Sequence, residues 1–229
     1  MADGSDESWL QKIGGTARLF PLPNVVLFPH VVQPLHIFEP RYRQMTADAL
    51  ADNRLIAPVL LRPGWEAEYE DRPAIAKMLC IGRVVAEQKL NDGRYNLLLR
   101  GISRARIVRE LPTDKLYRSA AVELQADGPP PPDAVGQRLL KKLAGAIKPW
   151  FPTDAPALEQ LDKLLHGELP LGVLADLLAF AVPLAVEAKQ ALLEQTDVQQ
   201  RIELLLTHLQ AGHAPERTER KFPPTFSSN

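Results

Sequence analysis

Residues 91–100, Asn91-Asp92-Gly93-Arg94-Tyr95-Asn96-Leu97-Leu98-Leu99-Arg100, read as a tight turn running into a strand. Asp-Gly accepts the positive φ angles that short hairpin turns require. After it, Tyr95, Leu97 and Leu99 alternate with Asn96, Leu98 and Arg100, the period of two expected of a sheet with one better-buried face. Working outward, Arg54–Leu61, Lys77–Leu90, Arg94–Arg100, Ile102–Glu110 and Leu116–Leu124 are apolar or β-branched runs bounded by turn residues, and each is predicted as a strand. One helix interrupts them, starting at Pro40, which suits a first helical position. It carries Tyr42, Met45 and Ala49 at helical spacing to about Asp52.

The sharpest punctuation is Gly128-Pro129-Pro130-Pro131-Pro132, flanked by Asp127 and Asp133. Four consecutive prolines have no backbone N–H to donate and favour an extended spacer. Beyond it the period becomes that of helices. Val135, Leu139, Leu140, Leu143 and Ile147 form one apolar stripe; Leu158, Leu161, Leu164 and Leu165 form a second; Leu174, Leu177, Leu178 and Ala181 form a third, ended by Pro183. A fourth helix is expected over Leu184–Gln195. A fifth should be capped by Asp197, with Gln200 at the capping-box position, and stopped by Gly212. The expected organisation is a flexible start (1–15), a β-barrel domain with one or two helices (16–126), a proline-rich linker (127–132), a helical bundle (133–211) and a flexible tail (212–229). The fold class is α+β.

Of 229 residues, 45% are hydrophobic, which suffices for a core, and the net charge of -1 argues against general attraction to polyanions. Residues 16–126 carry 16 cationic against 12 acidic side chains and residues 133–211 carry 7 against 10, an asymmetry too weak to name a partner. Cys80 is the only cysteine, so no intramolecular disulfide can form. The acidic, polar start lacks the apolar run of a secretion signal, and no stretch approaches the roughly 20 apolar residues of a membrane span, so a cytoplasmic address is expected.

Four segments resemble the Lon N-terminal domain family. They are Phe20-Pro21-Leu22-Pro23-Asn24-Val25-Val26-Leu27-Phe28-Pro29, continuing to Pro34-Leu35-His36-Ile37-Phe38-Glu39-Pro40-Arg41-Tyr42; Ile81-Gly82-Arg83-Val84 with the hairpin strand through Gly101; Arg104-Ala105-Arg106-Ile107 with Tyr117-Arg118; and Lys189-Gln190-Ala191-Leu192-Leu193-Glu194 with Asp197 and Arg201. Their order matches over about residues 17–210. The resemblance implies a PUA-like (pseudouridine-synthase-and-archaeosine-transglycosylase-like) β-barrel followed by a helical bundle, and a role in selecting polypeptide substrates. Arg62-Pro63-Gly64-Trp65-Glu66 through Tyr69-Glu70 looks like the stand-alone bacterial branch. No G-x-x-x-x-G-K-[ST] loop occurs, so ATP-driven unfolding and proteolysis are not expected of this chain itself.

Residue by residue, no catalytic set emerges, and the chain is expected to be non-enzymatic, without metal or cofactor. His30, His36 and Glu39 are the best acid–base or metal candidates, but they straddle a strand-to-helix junction rather than one helical face; the plainer reading pairs Glu39 with Arg41 or Arg43. Cys80 lies in an apolar strand and reads as a buried, inert thiol. Ser103 lacks the second glycine of a nucleophile elbow. His166, His208 and His213 have no ligand or carboxylate at useful spacing.

Two binding readings are left. The first is a recognition module for an unfolded segment or partner protein, with Phe38, Glu39, Tyr42, Trp65 and Tyr69 as contact candidates, in the groove between barrel and bundle or on a strand edge. Here Trp65 could equally cover the barrel end, and Phe38 and Tyr42 could be core. The second is RNA binding through Arg100, Arg104 and Arg106, against which stand few aromatics and interspersed Glu87, Glu110 and Glu123 that would make a salt-bridged sheet face. Nucleic acid is the less expected partner, and the chain is expected to be a monomer or weak dimer.

Overall fold

The computed structural model describes residues 15–68, 72–151 and 155–212. It is an α+β fold of one six-stranded mixed sheet and, among the described residues, six α-helices. The strands are β1 (Thr16–Leu22), β2 (Val32–Ile37), β3 (Leu55–Leu60), β4 (Met78–Lys89), β5 (Tyr95–Leu111) and β6 (Ser119–Gln125). The helices are α1 (Pro40–Ala51), α2 (Asp133–Ile147), α3 (Ala155–His166), α4 (Leu171–Ala181), α5 (Val186–Glu194) and α6 (Val198–Ala211). The expected flexible ends, apart from Gly15 and Gly212, lie outside the described residues.

The strand order is β2-β5-β4-β3-β1-β6, with a further pairing of β6 to β5. Hydrogen bonding therefore runs a closed circuit through β5, β4, β3, β1 and β6 back to β5, and among the described residues β2 is attached on one side only. All pairings are antiparallel except β1 with β3, where Leu19 faces Ala57 and Leu22 faces Leu60. β3 is buried at all six positions, as a strand covered on both faces must be, and α1 packs on β3 and β1. Pro34 is tolerated inside β2 because β2 pairs only with β5.

The hairpin expectation holds. Gly93 has φ +82°, Leu90 N–H donates to the Arg94 carbonyl at 2.8 Å, and Tyr95, Leu97 and Leu99 are buried while Asn96, Leu98 and Arg100 are exposed. One expectation is corrected. The runs Arg94–Arg100 and Ile102–Glu110 are not two strands but one, β5, which pairs with β2 in its first half, with β6 in its second and with β4 through most of its length. Gly101 does not break it. A Cβ there would lie 2.0 Å from the Phe28 carbonyl oxygen, so glycine lets the preceding loop cross against the strand, and His30 N–H donates to the Gly101 carbonyl at 2.9 Å.

The helical half follows its apolar periodicity closely. Asp197 accepts from Gln200 N–H at 2.9 Å, capping α6, although the reciprocal bond to Asp197 N–H comes from Gln195 rather than Gln200. Gly212 closes α6 in extended conformation, its N–H donating to the His208 carbonyl. The buried apolar side chains of sheet and helices form one continuous cluster. The helix Val186–Glu194, α5, packs on β4, where Gln190 Nε2 donates to the Met78 carbonyl at 3.0 Å.

Gly101→Ala is expected to destabilise the fold by roughly 3 kcal/mol, since overpacking against backbone has no flexible neighbour to yield. A urea titration checks this, and an unchanged midpoint would contradict the described crossing.

Candidate functional site

Buried charge joins the two halves. The Arg104 guanidinium on β5 forms a fork on the Asp176 carboxylate of α4, at 2.6 and 2.9 Å, and its Nε donates to the Leu193 carbonyl of α5 at 2.9 Å. Arg201 on α6 meets Asp176 at 3.3 Å, and its two terminal nitrogens bond both oxygens of Asp127 in the proline-rich connection. Asp127 also accepts from Arg104 at 3.3 Å. Gly172 leaves the space these groups fill, for a Cβ there would lie 2.6 Å from an Asp127 oxygen. Arg104, Asp176 and Arg201 are buried. Burial pushes the Asp176 carboxyl above its ordinary value against the pull of Arg104 and Arg201. Burial also pushes Asp127 upward, but there Arg201 and Arg104 prevail and hold the carboxyl below its usual range.

This corrects the grouping of Arg104 with Arg100 and Arg106. Those two are exposed, whereas the helices cover Arg104 and Asp176 occupies its guanidinium, so Arg104 presents no charge to a ligand. Glu87 pairs with Arg54, and Glu110 with Arg118 at 2.5 Å.

The peptide-contact candidates are dispersed. Tyr42 is core, its ring 4.5 Å from that of Phe20. Glu39 precedes α1 without capping it by its side chain and pairs with Arg41 at 2.8 Å. Trp65 is half-buried at the start of a short 3-10 turn, and Tyr69 lies outside the described residues. Phe38 alone stands well out, 60% exposed. His36 is hydrogen-bonded to Asn96 at 2.7 Å, and its ring is inclined by 24° to that of Phe38 with centroids 6.2 Å apart. Cys80 is fully buried, and burial pushes its thiol up to about 12, which makes it a poor nucleophile. Among the described residues no three His, Cys, Asp or Glu side chains group as a metal site.

What the sequence reading does not single out is the face on which Phe38 borders. Register places Pro34 opposite Leu98 and Leu98 opposite Ala86 across β2, β5 and β4. A shallow depression of about 490 Å³ lies over them, lined also by Leu35 and Leu97 and, on its polar side, by His36, Glu87, Gln88 and Asn96. Leu98 in its lining is 42% exposed, and in the same strands Val32, two residues before Pro34, and Val85, next to Ala86, are 45% and 47% exposed. The signal was present in Leu97-Leu98-Leu99, where alternation turns the middle leucine outward. A second depression, of about 560 Å³, lies between the sheet and α5, with Met78, Ile75 and Ala191 below and Arg62, Lys77, Arg106, Glu187 and Glu194 around it.

A family model for the ATP-dependent protease La (LON) substrate-binding domain matches residues 16–211. The chain belongs to that family. Among relatives, a Lon protease 2 of Myxococcus xanthus is 33% identical over 195 residues, covering 82% of this chain and 22% of that protein. A Lon protease of Anaeromyxobacter dehalogenans is 32% identical over 203 residues, covering 86% and 23%. The chain thus spans under a quarter of the length of these two relatives. Two solved structures share the fold of the family. A Lon N-terminal domain protein from Xanthomonas campestris has a TM-score of 0.58 at 23% identity, covering 84% of this chain and 97% of that one. The N-terminal domain of Mycobacterium avium complex Lon protease has a TM-score of 0.64 at 18% identity, covering 85% and 98%. No helix among the described residues is long and apolar enough to cross a membrane.

Removing one partner of a buried ion pair strands the other, at a cost of about 3–5 kcal/mol. Asp176→Ala is expected to lose that much stability by chemical denaturation, and a loss below about 1 kcal/mol would show the network to be dispensable. The Asp127 contribution should be fully present above the unfolded carboxyl value of about 4 and disappear as pH falls through its lower folded value. The stability difference between the wild type and Asp127→Asn should therefore be flat near neutrality and shrink in acid; a difference that grows in acid reverses the assignment.

Proposed function

We propose that this chain is a non-enzymatic recognition module that holds polypeptide, an unfolded segment or a partner protein, on the outer face of β2, β5 and β4. The observation that carries the reading is the exposed Leu98 in a depression on β2, β5 and β4, with exposed Val32, Val85 and Phe38 on or next to the same strands, and β2 having one strand partner among the described residues. Exposed apolar surface of this kind costs free energy in water, and covering it with a partner recovers that cost. A strand attached on one side also offers backbone groups to an extended chain, so main-chain bonds and apolar contacts could act together. Membership of a substrate-binding family supports the same reading. The relatives are named as proteases; any connection of this chain with proteolysis belongs to this proposal.

The architecture behind it is proposed as a PUA-like barrel formed by the closed circuit of strands, followed by a helical bundle, with Asp127–Pro132 as the boundary. The boundary is pinned rather than free: Asp127 is tied to both halves and Gly128 N–H donates to the Thr196 carbonyl. The RNA reading keeps Arg100 and Arg106 but loses Arg104, and so has less to stand on.

Fluorescence anisotropy with labelled casein tests the proposal. Leu98→Asp and Val85→Asp are expected to weaken binding by roughly tenfold each, because burying such a side chain contributes about 1.5–3 kcal/mol. Both sites are exposed, so the fold should persist. Absence of casein binding by the wild type, or RNA binding that falls steeply with salt, would overturn the reading.

A further inference from the structure

A second concavity has a different chemistry. It is a cleft of about 200 Å³ beside the start of α1 and the loop before β6. Four cations line it, Arg41, Arg72, Lys115 and Arg118, and among the described residues no carboxylate does. The acids that pair with them stand outside it. Glu39 meets Arg41, Asp48 meets Lys115 at 3.2 Å, and Glu110 is shared by Arg118 at 2.5 Å and Arg72 at 3.7 Å. Among the described residues Arg118 and Arg72 share Glu110, and the Arg72 contact is the longer of the two. The four cations thus line the cleft, and the acids paired with them do not.

The walls decide which anion fits. Pro21, Leu61 and Leu116 are apolar, and the Tyr42 ring adds an aromatic side, with the Arg41 guanidinium 4.8 Å from its centroid. Two of the nearby backbone donors are already used: Lys115 N–H bonds the Thr113 hydroxyl at 3.1 Å and Leu116 N–H bonds Gln44 at 2.8 Å. A phosphate cradle is built from such free backbone N–H groups. Here the charged groups offered are side-chain cations, beside Thr113 and Tyr117 and the apolar Leu116, in a space of single-residue size. Guanidinium forks suit carboxylates and phosphates alike, and the apolar Leu116 beside them favours a carboxylate carried on an apolar residue.

We propose that this cleft receives the terminal carboxylate of a polypeptide whose last residue is apolar. Arg72 and Lys115 reach the carboxylate, Arg118 is held in place by Glu110 and by the Pro73 carbonyl at 2.7 Å, and the apolar side chain lies against Leu116, which is 63% exposed. The assignment rests on the polypeptide reading above and adds a preference for a chain end. Phe38 and Arg41 are three residues apart, so the apolar face and the cleft meet at the start of α1.

The test is isothermal titration of the full chain with a labelled hexapeptide ending in leucine, as free acid and as amide. The acid is expected to bind about tenfold more tightly, the effect of one charge-assisted contact set. Arg72→Gln with Lys115→Gln should abolish that preference while leaving the unfolding midpoint near the wild type, since these side chains are 60% and 43% exposed. Equal binding of acid and amide overturns the proposal, as does a preference that survives the double substitution. Displacement of the peptide by inorganic phosphate where acetate fails overturns the carboxylate assignment. Casein binding that persists while acid and amide bind alike defeats the cleft and spares the apolar face; loss of both defeats the polypeptide reading itself.

Discussion

The network of Arg104, Asp176, Arg201 and Asp127 is the constraint on which the arrangement of sheet and helices depends. Two arginines and two aspartates balance in charge, which is why they can be buried together at all. Isolated, each would carry a large desolvation cost; together, with carbonyls of Leu193, Gln195 and Gly172 taking further N–H groups, they satisfy most of their hydrogen-bonding capacity. Apolar packing between sheet and helices is not directional. The ion network is, and it fixes which turn of α4 and of α6 lies against which residue of β5. A slip by one helical position would leave a buried arginine facing hydrocarbon.

That division of labour explains what could be read from the chain. The helices α2 to α6 were legible because one apolar stripe per helix is a local property, and so was the hairpin at Asp92-Gly93. β1 and β2 were not marked by alternation, because Pro21 and Pro34 interrupt them and their pairing with β3 and β5 is long-range. The unity of β5 was hidden by Gly101, whose reason for being glycine is a carbonyl more than seventy residues earlier in the chain. The seventeen-residue strand behaves as one element only because three neighbours hydrogen-bond to it.

Site residues divide in the same way. Leu98 was readable from its place among three leucines, and Cys80 from its apolar strand. Arg104 could not be told from Arg100 and Arg106, because the difference between them is a carboxylate 72 positions away. A sharper signal was available in Asp176, a single acid inside Leu171-Gly172-Val173-Leu174-Ala175-Asp176-Leu177-Leu178-Ala179-Phe180-Ala181; an ionised group in so apolar a helix needs a buried cation. Tyr42 was placed in the core by its spacing along α1, yet its ring also forms a wall of the cationic cleft, which no periodicity reveals.

β5 also has a mechanical aspect. Leu98 on the apolar face and Arg104 in the ion network are six residues apart on one continuous strand, about 20 Å of nearly inextensible backbone. A strand bonded laterally to β4, β2 and β6 resists sliding along its own axis, because several hydrogen bonds would have to shear at once. Tension on a chain seated at Leu98 would therefore be delivered with little loss to the buried charges that hold the helices. The stiff path through the molecule runs from the apolar face to the joint.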